Sequence, residues 1–159
     1  MHADDDASLI EIVVVGAHLS GMPLNGELTS RGGRLLRTAQ TENAYRLSAL
    51  PNGPSGGPPA RPGLLRIAPG AGHAIAVEVW GLPAAGFGTF LASIPAPLCI
   101  GTVRLADGTA PKGFLVEPEG LRGATDISHF GGWRAFVAAG TDTTGSCVSA
   151  GKAAGSSRC

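Results

Sequence analysis

The stretch Val13-Val14-Val15-Gly16-Ala17-His18-Leu19-Ser20-Gly21-Met22-Pro23-Leu24-Asn25 decides how this chain is read. Three consecutive β-branched residues favour extended backbone, since branching at Cβ packs well on a pleated surface. From Ile10 to Ala17 the run is apolar except at Glu11, the composition of a central strand. Gly16, Gly21, Pro23 and Gly26 then break it. A strand that stops in small residues hands a side chain and several backbone N–H groups to the space beyond its end. The side chain at this break is His18. Any chemistry is expected there.

The wider chain sets the bounds. Its 159 residues suffice for one domain with a real core. Twelve Lys and Arg balance twelve Asp and Glu, so no basic excess points to nucleic acid or to an anionic membrane. Cys99, Cys147 and Cys159 are odd in number and lack metal-ligand spacing. That argues against a disulfide framework and against zinc, and a reducing cytoplasm fits best. No cofactor is implied. The start Met1-His2-Ala3 followed by three aspartates is the opposite of a basic export signal, and the apolar runs are too short to span a bilayer.

Residues 1–7 and 141–159, polar and poor in side chains to bury, read as disordered tails around a domain at 8–140. With 25 Gly and 12 Pro, the domain should be rich in turns. Arg34–Ala39 and Tyr45–Leu50 read as a hairpin, 51–63 as a Pro/Gly loop, and Leu64–Ala68 and Ile75–Trp80 as further strands. In the last of these Ala74, Ala76, Glu78 and Trp80 share one face and Ile75, Val77 and Val79 the other. Leu82-Pro83 opens a helix whose core stripe is Phe87, Phe90, Leu91 and Ile94, and Pro95 and Pro97 close it. Ile100–Leu105 and Gly113–Glu117 flank the turn Asp107-Gly108 as a second hairpin. Asp126 or Ser128 caps a last helix running to about Ala139. The pattern predicts an α+β domain around a closed or nearly closed, mainly antiparallel sheet.

VVVGAHLSGMPLNGELTSRGGRLLRTAQT, YRLSALP, GLLRI, VEVWGLP, IPAPLCIGTVRLADG, KGFLVEPE and DISHFGGWRAF, in this order over residues 10–137, resemble the C-terminal domain of allophanate hydrolase. GAHLSGMPLN and DISHFGGWRA are the specific segments. The resemblance implies a γ-glutamyl cyclotransferase-like fold, a small, mostly antiparallel β-barrel with flanking short helices. It further implies a role in urea or allophanate degradation. There an amidase-signature domain with a Ser–Ser–Lys set makes N-carboxycarbamate, and this domain promotes its decarboxylation. The amidase machinery has no counterpart here: the only lysines, Lys112 and Lys152, lie outside any Gly/Ser-rich amidase core.

The implied substrate is a small dianion. Losing carbon dioxide from nitrogen needs a proton delivered to that nitrogen and a carboxylate withdrawn from water. His18 can carry such a proton near neutral pH. The alternative is a histidine that only ties a loop to backbone. The loop Ser20-Gly21-Met22 can offer backbone N–H groups to an anion, and in cyclotransferase-like folds the corresponding loop cradles the substrate, which puts Leu19, Ser20 and Gly21 among the expected binding residues. Ser20 is a donor rather than a nucleophile, since no base adjoins it. A dianion also needs a cation. Of Arg31, Arg34, Arg37, Arg46 and Arg134, Arg31 ranks first because its segment matches the family closely. Tyr45, the only tyrosine, either binds a carboxylate or packs in the core. Glu78 and Glu117 lie in strands, and neither aligns with the acidic residue that cyclotransferases use as a base. Ile94-Pro95-Ala96-Pro97-Leu98-Cys99-Ile100-Gly101 stands where the usual acidic segment would be, which weakens a cyclotransferase reading. Trp133 reads as core, His129 as surface and Cys99 as an inert buried thiol.

Three functions follow from this. The domain promotes carbon–nitrogen cleavage in a small anionic substrate; or it is a non-catalytic module that dimerises or docks onto an amidase-domain protein; or it is a γ-glutamyl cyclotransferase-like enzyme.

Overall fold

The computed structural model describes residues 8–51 and 61–140. The expected tails and most of the Pro/Gly loop lie outside these residues. The described strands are β1 (Ile10–Val14), β2 (Arg34–Gln40), β3 (Tyr45–Ala49), β4 (Pro62–Arg66), β5 (Ala76–Leu82), β6 (Leu98–Thr102), β7 (Lys112–Val116) and β8 (Thr125–Asp126). The helices are α1 (Gly26–Thr29), α2 (Ala84–Ala92) and α3 (133–140).

The apolar run at the start of the chain becomes the middle strand of a five-stranded sheet ordered β2-β5-β1-β7-β6. β1 pairs antiparallel with β5, placing Val14 opposite Glu78, and parallel with β7, placing Val13 opposite Gly113. Ile12, Val13 and Val14 are fully buried, so the strand reads as a continuous apolar run rather than an alternating one. The remaining pairs of this sheet are antiparallel. A second sheet, ordered β4-β3-β8, packs its Tyr45, Leu47 and Leu64 into the same core.

The mixed α+β character and the mainly antiparallel pairing are as expected. A closed barrel is not what the ladders form. The larger sheet ends at β2 and β6, and among the described residues the isolated bridge Thr41–Leu105 is the one ladder contact that joins the chain just beyond those edges.

Three local expectations are corrected. β3 does not return along β2; β5 takes that place, and β3 pairs with β4 instead. Thr41 diverts the chain: its N–H donates to the Ile75 carbonyl at 3.0 Å, and its Oγ1 accepts the Ile75 N–H at 2.9 Å. Leu91 is exposed, and Phe90 alone on α2 is fully buried, with Phe87 and Ile94 packed partly against the core. Neither Asp126 nor Ser128 caps α3. The Asp126 carboxylate accepts the Ser128 N–H and hydroxyl at 2.9 and 2.6 Å just ahead of the short 3-10 turn Ser128–Phe130, and α3 starts at 133. Trp133 is core and His129 is exposed, as read from the sequence.

Gly16 marks where β1 gives way to the loop. A Cβ there would sit 2.3 Å from Pro62 Cδ and 2.4 Å from its Cγ. A proline ring cannot swing aside as a flexible side chain would. Gly16→Ala is expected to cost about 1–3 kcal/mol through overpacking, read as a lower urea midpoint at unchanged m-value.

Candidate functional site

The chain after β1 is folded back on itself by short-range bonds. Leu19 N–H donates to the Gly16 carbonyl, Met22 N–H to that of Leu19 and Leu24 N–H to that of Ala17, at 2.8–3.0 Å. The Asn25 side-chain amide donates to the His18 carbonyl at 2.8 Å. Gly21 turns with φ +81°, a conformation glycine adopts without steric cost. Two side-chain clusters grip this loop.

The first cluster surrounds His18. Its ring stacks on Phe114 (centroids 5.2 Å apart, 17° between planes) and meets the edge of Phe90 (5.0 Å, 87°). Nε2 lies 2.8 Å from Glu27 Oε1, on α1. Arg31 follows α1; its guanidinium sits 5.7 Å from the centre of the Phe90 ring and donates to the Glu27 carbonyl at 2.9 Å and to Thr89 Oγ1 at 3.0 Å. The His18 side chain is 13% exposed.

The second cluster centres on Glu78. Its side chain is 8% exposed. Oε1 accepts the Ser20 N–H at 2.8 Å and the Trp80 indole N–H at 3.0 Å. Oε2 accepts the Ser20 hydroxyl at 2.8 Å and Arg134 Nη2 at 2.9 Å. Arg134 Nη2 also donates to the Ser20 carbonyl at 2.7 Å. Burial pushes the Glu78 carboxyl up, but the donors from Trp80, Ser20 and Arg134 outweigh it and hold the group below its usual range. Such a carboxylate is a poor base and a good anchor. It faces an open cavity of about 660 Å³ whose walls include Leu19, Gln40, Asp107, Trp133 and Arg134.

The residues picked out by sequence therefore divide. His18 and Arg31 come together around Phe90. Leu19 is buried and lines the cavity. Ser20 is spent as an anchor: its N–H and hydroxyl are both committed to Glu78. The expected anion nest is thereby reduced. Ser20 and Met22 N–H groups are engaged within the protein, and Gly21 N–H alone of the three has no partner among the described residues. Tyr45 belongs to the core: it is fully buried, and its hydroxyl accepts the Arg104 N–H at 2.9 Å. Arg37 pairs with Glu11 and Asp107, and Arg46 with Asp126. Cys99 is half-buried rather than fully so; burial and the charge of Glu117 push its thiol up, away from a reactive thiolate. Among the described residues no group of three or more His, Cys, Asp or Glu is placed to hold a metal ion, and no helix is long and apolar enough to cross a membrane.

Glu27 went unrecognised as a site residue from sequence, and Glu78, Trp80 and Arg134, each weighed singly there, were not joined into one anchor. The signal for the latter was present: Glu78 and Trp80 two apart on one strand face, as their direct hydrogen bond confirms.

A small α+β domain whose central strand ends in an anchored, histidine-bearing loop is the class defined here. The model of the allophanate hydrolase C-terminal domain family matches residues 10–138, and the chain belongs to that family. It is 40% identical over 134 residues to urea amidolyase of Saccharomyces cerevisiae, covering 83% of this chain and 7% of that protein. It superposes on Kluyveromyces lactis allophanate hydrolase with a TM-score of 0.77 at 40% identity, covering 81% of this chain and 21% of that one. It also superposes on c4763, a uropathogenic E. coli-specific protein, with a TM-score of 0.72 at 33% identity, covering 82% of this chain and 96% of that one. The chain thus spans a small part of the urea amidolyase it matches and nearly the whole of c4763.

Proposed function

We propose that this domain acts in allophanate breakdown, taking N-carboxycarbamate released by an amidase domain and promoting its decarboxylation. His18 at the end of β1, held between two phenylalanines with a guanidinium beside them, is the observation that carries this reading. The aromatic walls lower the local dielectric and make it unfavourable for a carboxylate to stay charged. Loss of neutral carbon dioxide relieves that cost. Arg31 supplies the compensating charge for the carboxylate that remains. His18 supplies the proton: as the C–N bond breaks, its electron pair passes to nitrogen, which takes a proton from the imidazolium. Carbamate, carbon dioxide and neutral imidazole are the products. The substrate assignment rests on family membership, and the roles of Arg31 and His18 on geometry.

The test mixes the purified chain with an amidase domain and allophanate and follows carbon dioxide release. The expected result is a faster release that scales with the amount of chain added. No acceleration at any ratio would overturn the proposal.

A second reading has its own support. β2 is an edge strand with Leu35 43% and Leu36 38% exposed, and two of the relatives named carry this domain within much longer chains. On this reading the domain docks onto an amidase-domain partner or pairs with a second copy. Co-purification and light scattering test it, and a strictly monomeric chain that binds no amidase domain would count against it.

A further inference from the structure

Building on the proton-transfer reading above, we infer that Glu27 is the positioning residue that decides which nitrogen of His18 exchanges the proton: Glu27 keeps the hydrogen on Nε2 and leaves Nδ1 as the working atom.

A deprotonated carboxylate can only accept a hydrogen bond. With Glu27 Oε1 2.8 Å from Nε2, that nitrogen must carry the hydrogen. In the neutral ring the lone pair then sits on Nδ1. In the charged ring both nitrogens carry hydrogens, but the Nε2 hydrogen is bound to the carboxylate, so the one that departs is on Nδ1. Among the described residues Nδ1 has no hydrogen-bond partner, whereas Nε2 has Glu27.

The arrangement is rigid. The Asn25 amide ties the His18 carbonyl to the turn that opens α1, and Glu27 reaches back from α1 to the ring of the same residue. Arg31 holds α1 from its other end through the Glu27 carbonyl. Phe114 stacked on one side and the edge of Phe90 on another oppose a flip of the ring. A histidine whose tautomer is fixed by a carboxylate on its far nitrogen is the arrangement that orients a general acid. The substrate nitrogen must then approach the Nδ1 edge. The step balances: HN(CO₂⁻)₂ takes the Nδ1 proton, the C–N pair stays on nitrogen, and H₂N–CO₂⁻ and CO₂ leave.

The test uses the full chain labelled with ¹⁵N in its histidines, with the His18 signals assigned by their loss in His18→Gln. In the wild type, two-bond proton–nitrogen correlations at slightly alkaline pH should show the Nε2–H form of His18, with an Nε2 hydrogen slow to exchange with water. In Glu27→Ala that slow hydrogen should vanish, and kcat for carbon dioxide release should fall about 10–100-fold, as outer-sphere orienting partners typically cost when lost, while KM moves less than about threefold. Glu27→Lys, which donates where glutamate accepts, should move the hydrogen to Nδ1 and remove the acceleration. A wild type in the Nδ1–H form, or a Glu27→Lys protein with unchanged spectrum and kcat, would overturn the inference. Should the wild type show no decarboxylation, the functional proposal fails, while the spectra still decide which nitrogen Glu27 holds.

Discussion

His18→Ala should erase the acceleration of carbon dioxide release, lowering the rate about 10²–10⁴-fold, the span ordinarily lost with a positioned general acid. The size of the effect follows from the chemistry. An amide-type nitrogen is a poor leaving group until it is protonated, and on the proposed mechanism His18 brings that proton. Alanine leaves a gap between Phe90 and Phe114, so part of any loss could come from a loosened loop. His18→Gln separates the two effects. Glutamine fills more of the gap and can still bond to Glu27, yet it cannot shuttle a proton. The expected pattern is equal loss of activity in both variants and a smaller fall in melting temperature for glutamine. Activity within about threefold of wild type in His18→Gln would remove the histidine from the chemistry and leave it the role of a loop tie.

How far this was legible beforehand depends on the range of each interaction. β1 was plain because its signal is local: consecutive β-branched residues ended by Gly16. The shared face of Glu78 and Trp80 follows from the two-residue period of a strand, and their hydrogen bond bears it out. The partner of β2 was not legible. Alternation along Tyr45–Leu50 says that a strand forms, not which strand it joins, and the choice is made by Thr41 bonding to Ile75, 34 residues away. The Ser20 donors were foreseen but their acceptor was not, for the same reason: Glu78 lies 58 residues on. Arg134, one of five arginines weighed, reaches Glu78 from α3 across 56 residues, and only the folded chain selects it. Gly-rich loops also mislead about anion binding. The residue pattern shows which N–H groups are exposed in principle, and the fold has already used two of the three.

Glu78→Leu is expected to destabilise the domain strongly. Leucine fits a mostly apolar surround in size, yet it leaves the Ser20 and Trp80 N–H groups without their acceptor and Arg134 without its counter-charge. Breaking a buried ionic network by removing one partner costs about 3–5 kcal/mol; the half-exposed Arg134 can recover water, which puts the expectation near the lower figure. For a domain of this size that is a melting temperature lower by roughly 10 °C. Ser20→Ala, which keeps the backbone N–H on Oε1 and loses only the hydroxyl, should cost about 1 kcal/mol. The sign of the pH dependence separates a charged anchor from a merely polar one. Because the fold holds the Glu78 carboxyl below its ordinary value of 4.5, the folded state favours the ionised form. Its contribution is fully present above that ordinary value and is lost as pH falls through the lower, folded-state value. The stability gap between wild type and Glu78→Leu, measured by urea unfolding, should therefore be wide at pH 7 and shrink progressively as pH falls below 4.5. A gap independent of pH would mean that Glu78 acts through shape and hydrogen-bond count alone. Loss of the anchor also frees Ser20, two residues from His18, so Glu78→Leu should reduce decarboxylation without altering any group that touches the substrate. That links the buried carboxylate to the histidine through the loop they share.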